Sequence, residues 1–157
     1  QVSEDRWVLD GCPENGPAMA VDDRNRVHVV WPTLVAGAAP EGEPTLALFH
    51  AMSTDGRRFT PRQRIPTEGV PRHPHITLGA RDAVVVTWDE QTRGGRRIAL
   101  GRAIADEHGG VRFGRQVVDD VAPTGNPVVA TTDQGVLVAW TIGNRGETRL
   151  RTQLLPD

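Results

Sequence analysis

The chain has 157 residues, a formal net charge of −2 and a pI of about 6.2. That length holds one ordinary domain with a core, and the charge includes no basic field of the kind that neutralises phosphates, so no nucleic-acid partner is expected. No apolar run reaches the length of a membrane-spanning helix, so no membrane partner is expected, and the single cysteine, Cys12, can form no disulfide within the chain.

All 18 basic residues are arginine, and tyrosine is absent. Arginine without lysine, beside abundant Ala, Val and Gly, fits a GC-rich coding bias more than a selection for bidentate carboxylate binding. The chain opens on Gln1, which is the expectation for a processed product, a trimmed chain or an excised piece of something longer.

In chain order, the first apolar stretch is isolated: Arg6-Trp7-Val8-Leu9. A repeated cassette follows. Pro17-Ala-Met-Ala-Val21 is an apolar run, Asp23 to Asn25 is a polar turn, and Val27, Val29 and Trp31 alternate with His28 and Val30. Alternation of period two with β-branched residues predicts two strands joined by a turn. The cassette returns as Pro74 to Leu78 and Ala83 to Trp88, and again as Pro127 to Thr131 and Val136 to Trp140. The tryptophans stand 57 and then 52 residues apart, the spacing of a repeat architecture. Each proline is expected at a strand entrance, where its missing N–H costs least.

A third strand is predicted after each tryptophan, at Thr45 to Met52, Arg97 to Ile104 and Thr148 to Leu154. A fourth follows at Pro61 to Ile65 and Gly114 to Val118, but not in the third unit. Val8 precedes Pro17 by the distance at which Ile65 precedes Pro74 and Val118 precedes Pro127, so Arg6–Leu9 reads as a displaced fourth strand. The fold class is all-β: one domain over 1–157, with three four-stranded antiparallel units at about 17–66, 74–119 and 127–157 plus 5–10. Radially repeated four-stranded sheets are the blades of a β-propeller.

Ser53-Thr54-Asp55-Gly56-Arg57-Arg58-Phe59 lies between the third and fourth strands of the first unit. It resembles the Asp-box of the sialidase-like, BNR-repeat propellers, one residue shorter and with Arg57 in place of a second glycine. A decayed copy runs from Asp106 through Gly109-Gly110 to Phe113. The resemblance implies structural roles for Ser53, Asp55, Gly56 and Phe59, with Asp and Gly serving a tight turn. It implies a ring of six or more blades, so this chain reads as half a propeller. Two copies would close the ring as a strand-exchanged homodimer; the alternatives are a fragment whose other half is missing, or a different pairing. The resemblance also implies a secreted or periplasmic protein.

In such a ring, ligands meet loops entering the first strands and leaving the second. Asp89 and Glu90 stand on one of these, the candidate carboxylates if the chain is a glycoside hydrolase; the plainer reading is a solvated rim. Asp10, Glu14 and Glu68 are expected to cap loops. Arg72, His73, Arg93, Arg96 and Arg145 are the ligand-binding candidates, as groups that could grip a carboxylate. His73 and His75 share one side of a strand, but no third metal ligand accompanies them, so no metal or other cofactor is expected. His28, between valines, reads as structural. Arg64-Ile65-Pro66 shares its letters with an arginine motif of sialidases but ends a fourth strand. With no tyrosine nucleophile the resemblance implies no complete sialidase mechanism. Cys12 reads as a small loop side chain or as one half of an intersubunit disulfide. Three functions follow: a non-catalytic module that self-assembles and binds carbohydrate or protein, a glycoside hydrolase that is not a tyrosine-dependent sialidase, or an excised piece without its own activity.

Overall fold

Eleven antiparallel strands run through the described part of the chain, which in the computed structural model comprises residues 2, 15–36, 43–105, 111–121, 123–144 and 146–156. The first sheet holds β1 (Ala18–Val21), β2 (Val27–Val35), β3 (Thr45–Ser53) and β4 (Gln63–Ile65). The second holds β5 (Val70–Leu78), β6 (Val84–Thr92), β7 (Gly95–Ala105) and β8 (Val111–Asp119). The third holds β9 (Thr124–Thr132), β10 (Gly135–Ile142) and β11 (Arg149–Leu155). In each, spatial order follows chain order, the meander of a propeller-like blade. The expected fourth strand of the third sheet, Arg6–Leu9, lies outside the described residues, as do Cys12 and most of the decayed turn after Asp106.

The sheets stack face to face. β1 lies beside β5 and β5 beside β9, so the first strands of successive sheets are neighbours. Strand alternation sorts the side chains between the two interfaces. Val84, Val86 and Trp88 of β6 point to the first sheet and pack with Val30, Leu48 and Ile65. Val85 of β6, with Ile98 and Leu100 of β7, points the other way and packs with Val129, Val136, Val138 and Trp140. A strand covered on both faces has no polar side, which is why Val84 to Val86 read as an unbroken apolar run. Trp88 and Trp140 each face the preceding sheet. Trp88 is fully buried, and burial of one large apolar side chain contributes about 1.5–3 kcal/mol. Trp31 has no preceding sheet among the described residues; it packs with Val29, Ala47, Phe49 and Ala51, against which Val2 and Phe59 also rest.

The second and third prolines do not stand at strand entrances. β5 starts at Val70 and β9 at Thr124, so Pro74 and Pro127 lie inside strands. A bulge explains both. Arg72 pairs with Asp89 and His75 with Thr87, which leaves His73-Pro74 opposite Trp88. Gly125 pairs with Thr141 and Val128 with Ala139, which leaves Asn126-Pro127 opposite Trp140. The extra residue of a bulge is unpaired, so proline forfeits no ladder bond there. The residue before each proline is left-handed, with φ +46° at His73 and +51° at Asn126. The first unit carries Gly16-Pro17 at this place in sequence, but β1 starts only at Ala18 and pairs with β2 without a bulge.

Candidate functional site

The bulges aim polar groups at the end of β6. Asp89 and Glu90, expected on an exposed rim, are both fully buried within that strand and point to opposite faces. Asp89 faces the third sheet. Its Oδ1 lies 2.6 Å from Nδ1 of His73 and accepts the Asn126 amide at 3.3 Å, while Nε of Arg96 stands 3.3 Å from Oδ2. One carboxylate therefore ties the bulge of its own sheet to the bulge of the next. The Asn15 side chain accepts the His73 amide at 2.8 Å and holds the left-handed turn from the other side.

Glu90 faces the first sheet. Its Oε2 accepts Nε1 of Trp88 at 3.1 Å and the Glu68 amide at 3.2 Å; its Oε1 pairs with Arg115 and lies 3.4 Å from Nε of Arg97. Glu68 does not cap a loop: it completes the network with Arg97 and Arg115, each at 3.0 Å. A buried carboxylate is tolerable only when paired and hydrogen-bonded, and here both are. Neither has an oxygen that faces solvent, and as neighbours on a strand they cannot flank one bond. The pair is not arranged for acid–base work on a glycoside.

Beside this network, at the turn from β6 to β7, lies an open cleft of about 500 Å³ lined by Thr92, Arg93, Arg96, Arg97, Glu68 and Asp120. A second depression of about 460 Å³ shares Glu68, Thr92 and Arg93 with it. Arg93 is exposed on the ridge between them and has no ion-pair partner among the described residues. Of the five expected binding residues, the structure brings Arg93 and Arg96 to this cleft. Arg72 is exposed outside its lining, His73 is engaged with Asp89, and Arg145 lies outside the described residues. Sequence reasoning missed Arg97 and Arg115. The signal was there for Arg97, which pairs directly across the hairpin from Glu90. Arg115 had none, since it reaches Glu90 from β8, whose register a single sequence does not show.

The turn at Ser53 has the expected hydrogen bonds. Oδ1 of Asp55 accepts the amides of Arg57 at 2.9 Å and Arg58 at 2.8 Å and the Ser53 hydroxyl at 3.1 Å, while Gly56 takes φ +67°. The Arg58 and Arg57 amides hold the Asp55 carboxyl down at about 2. Phe59 packs against the Trp31 cluster, but Phe113 does not sit beneath a turn: it lies in β8, edge-on to His50.

A second buried polar cluster sits between the first and second sheets. Nδ1 of His28 is 3.2 Å from Nε2 of His50, and Nε2 of His28 is 3.3 Å from Oδ2 of Asp22. Burial would raise the Asp22 carboxyl; hydrogen bonds from Arg26, His28 and Arg24 outweigh it and hold the group far below the usual carboxylate range. Burial, helped by the nearby charge of His28, lowers His50 to about 4. His75 is also lowered by burial, partly offset by its bond from the Val129 amide. No group of three potential metal ligands occurs among the described residues.

No family model matches the chain, and no curated protein matches it in sequence. Among solved structures it is similar to a provisionally assigned glycosidase from Bacteroides thetaiotaomicron, at 14% identity and a TM-score of 0.40, over 90% of this chain and 68% of that one. A glycosyl hydrolase from Bacteroides ovatus aligns at 11% identity and a TM-score of 0.34, over 84% of this chain and 61% of that one. The chain thus spans less than two thirds of the second protein. This likeness assigns neither a family nor an activity.

Proposed function

We propose that this chain is a non-catalytic module of the Asp-box propeller type, and that it binds an anionic carbohydrate in the cleft beside Arg93, Arg96 and Arg97. One observation carries the reading: both candidate catalytic carboxylates are consumed inside the protein, Asp89 by His73, Arg96 and the Asn126 amide, and Glu90 by Trp88, Arg115 and the Glu68 amide. The cleft presents Arg93, exposed and without an ion-pair partner among the described residues, beside Arg96 and Arg97, which Asp89 and Glu68 hold, and its lining also includes the exposed residues Glu68 and Asp120. Guanidinium groups bind carboxylates through paired N–H donors, and a uronic acid has both that carboxylate and hydroxyls for Thr92 and the backbone of the turn.

Titration of a uronic-acid oligosaccharide into the protein tests this. Heat of binding that falls at least tenfold in affinity in Arg93→Ala is the expected result, with no turnover of chromogenic glycosides. Equal binding by wild type and Arg93→Ala overturns the site. Glycoside turnover that disappears in Asp89→Asn overturns the non-catalytic reading in favour of a hydrolase.

A further inference from the structure

Two exposed apolar surfaces of this chain match, position by position, surfaces that it buries between its own sheets. Pro17, Pro74 and Pro127 align the three first strands; Trp31, Trp88 and Trp140 align the three second strands. On that alignment Met19 stands where the second sheet has Ile76 and the third has Val129. Ile76 and Val129 are 5% and 4% exposed, because each is pressed on a preceding sheet; Met19 is 72% exposed. Val21, on the same face of β1, is also exposed. Val2 packs on the Trp31 part of this front and leaves β1 as its open part.

The back of the third sheet is the counterpart. Leu137 takes the place of Val85, three residues before the tryptophan. Leu150 takes the place of Ile98, since each pairs with the residue after the tryptophan, Thr141 and Asp89. Val85 and Ile98 are buried under the third sheet, whereas Leu137, Leu150, Val128 and Leu154 are exposed. One face thus has the composition of a sheet covered in front, and the other that of a sheet covered behind.

We propose that these faces dock on each other between two copies of the chain, the front of one copy's first sheet against the back of its partner's third sheet. The occupant is a second copy because both halves of the contact belong to this one chain and repeat contacts it already makes internally. The contact is head-to-tail, so it must be made twice to leave no open face, and a two-fold arrangement of three sheets each closes a ring of six. The proposal rests on the blade reading of the sheets and is independent of the arginine cleft.

Size-exclusion chromatography with light scattering tests it, on the whole chain and with circular dichroism to verify the fold. Wild type is expected at twice the 17.1 kDa chain mass. Met19→Asp on the front and Leu150→Arg on the back are each expected at the single-chain mass with an unchanged β spectrum. Both side chains are already exposed in the single chain, so neither substitution disturbs its core. Val121→Asp, an exposed apolar position in the connection between β8 and β9 and so on no strand of either face, keeps the double mass. Wild type at the single-chain mass across a wide concentration range overturns the proposal, as does a dimer that neither substitution splits. Carbohydrate titration of the Met19→Asp monomer separates this outcome from that of the cleft.

Discussion

Replacing His50 with phenylalanine removes a pH dependence built into the core. His50 is buried between His28 and Phe113, in a cluster whose charged and titratable members are Asp22, Arg26 and His28, with Asp82 reaching Arg26 from the second sheet. The folded protein holds His50 neutral down to about 4, against 6.5 for a free imidazole. The unfolded chain therefore binds a proton over this interval that the native state refuses. Stability contributed by neutral His50 is complete above pH 6.5 and is lost as the pH falls through 4. At 1.36 kcal/mol for each pH step, the loss across the interval is about 3 kcal/mol. His75 is shifted the same way and steepens the decline; Asp22, held below the usual range, withdraws its contribution only under pH 4. Urea unfolding of wild type and His50→Phe at pH 7 and pH 4.5 is the assay. The variant starts lower by about 1–3 kcal/mol, because Nδ1 of His28 loses its partner, but it declines much less on acidification. An equal decline in both proteins refutes the reasoning, whatever their absolute stabilities.

Asp89→Ala leaves His73 and Arg96 without their shared anion at a buried bulge. It is expected to destabilise by about 3–5 kcal/mol in chemical denaturation, the cost of breaking rather than replacing a buried pair; a loss within experimental error argues against the latch. Asp119→Ala orphans the indole N–H of Trp140, now bonded at 2.7 Å, and takes away the carboxylate that lies 3.5 Å from the already exposed Arg151. A loss of about 1–3 kcal/mol and a changed Trp fluorescence are expected, and an unaltered spectrum contradicts the bond. The carbohydrate titration with Arg93→Ala and the mass measurement with Met19→Asp complete the set.

Strand positions were legible in the residues because period two is a local property: Val27, Val29 and Trp31 alternate whether or not a second sheet exists. The repeat was legible for the same reason, since the proline and tryptophan recur in letters. The bulges were not, because an extra residue in a strand is defined only against its partner, and Pro74 at an entrance reads the same as Pro74 within a bulge. The fates of Asp89 and Glu90 were hidden likewise. Two adjacent carboxylates after a tryptophan read as a polar rim, and burial reversed that only because His73, Arg96, Arg115 and the Glu68 amide converge on them from β5, β7, β8 and the segment before β5.

The amino-acid order by itself determined an all-β chain of three repeated units and the turn at Asp55, because each depends on residues close together in the chain, and composition alone gave the absence of tyrosine. Tertiary structure alone decided which faces are covered, which carboxylates are spent and which arginine has no ion-pair partner among the described residues. Those depend on contacts between sheets, where burial makes an unpaired charge costly and so dictates which charged groups end up joined.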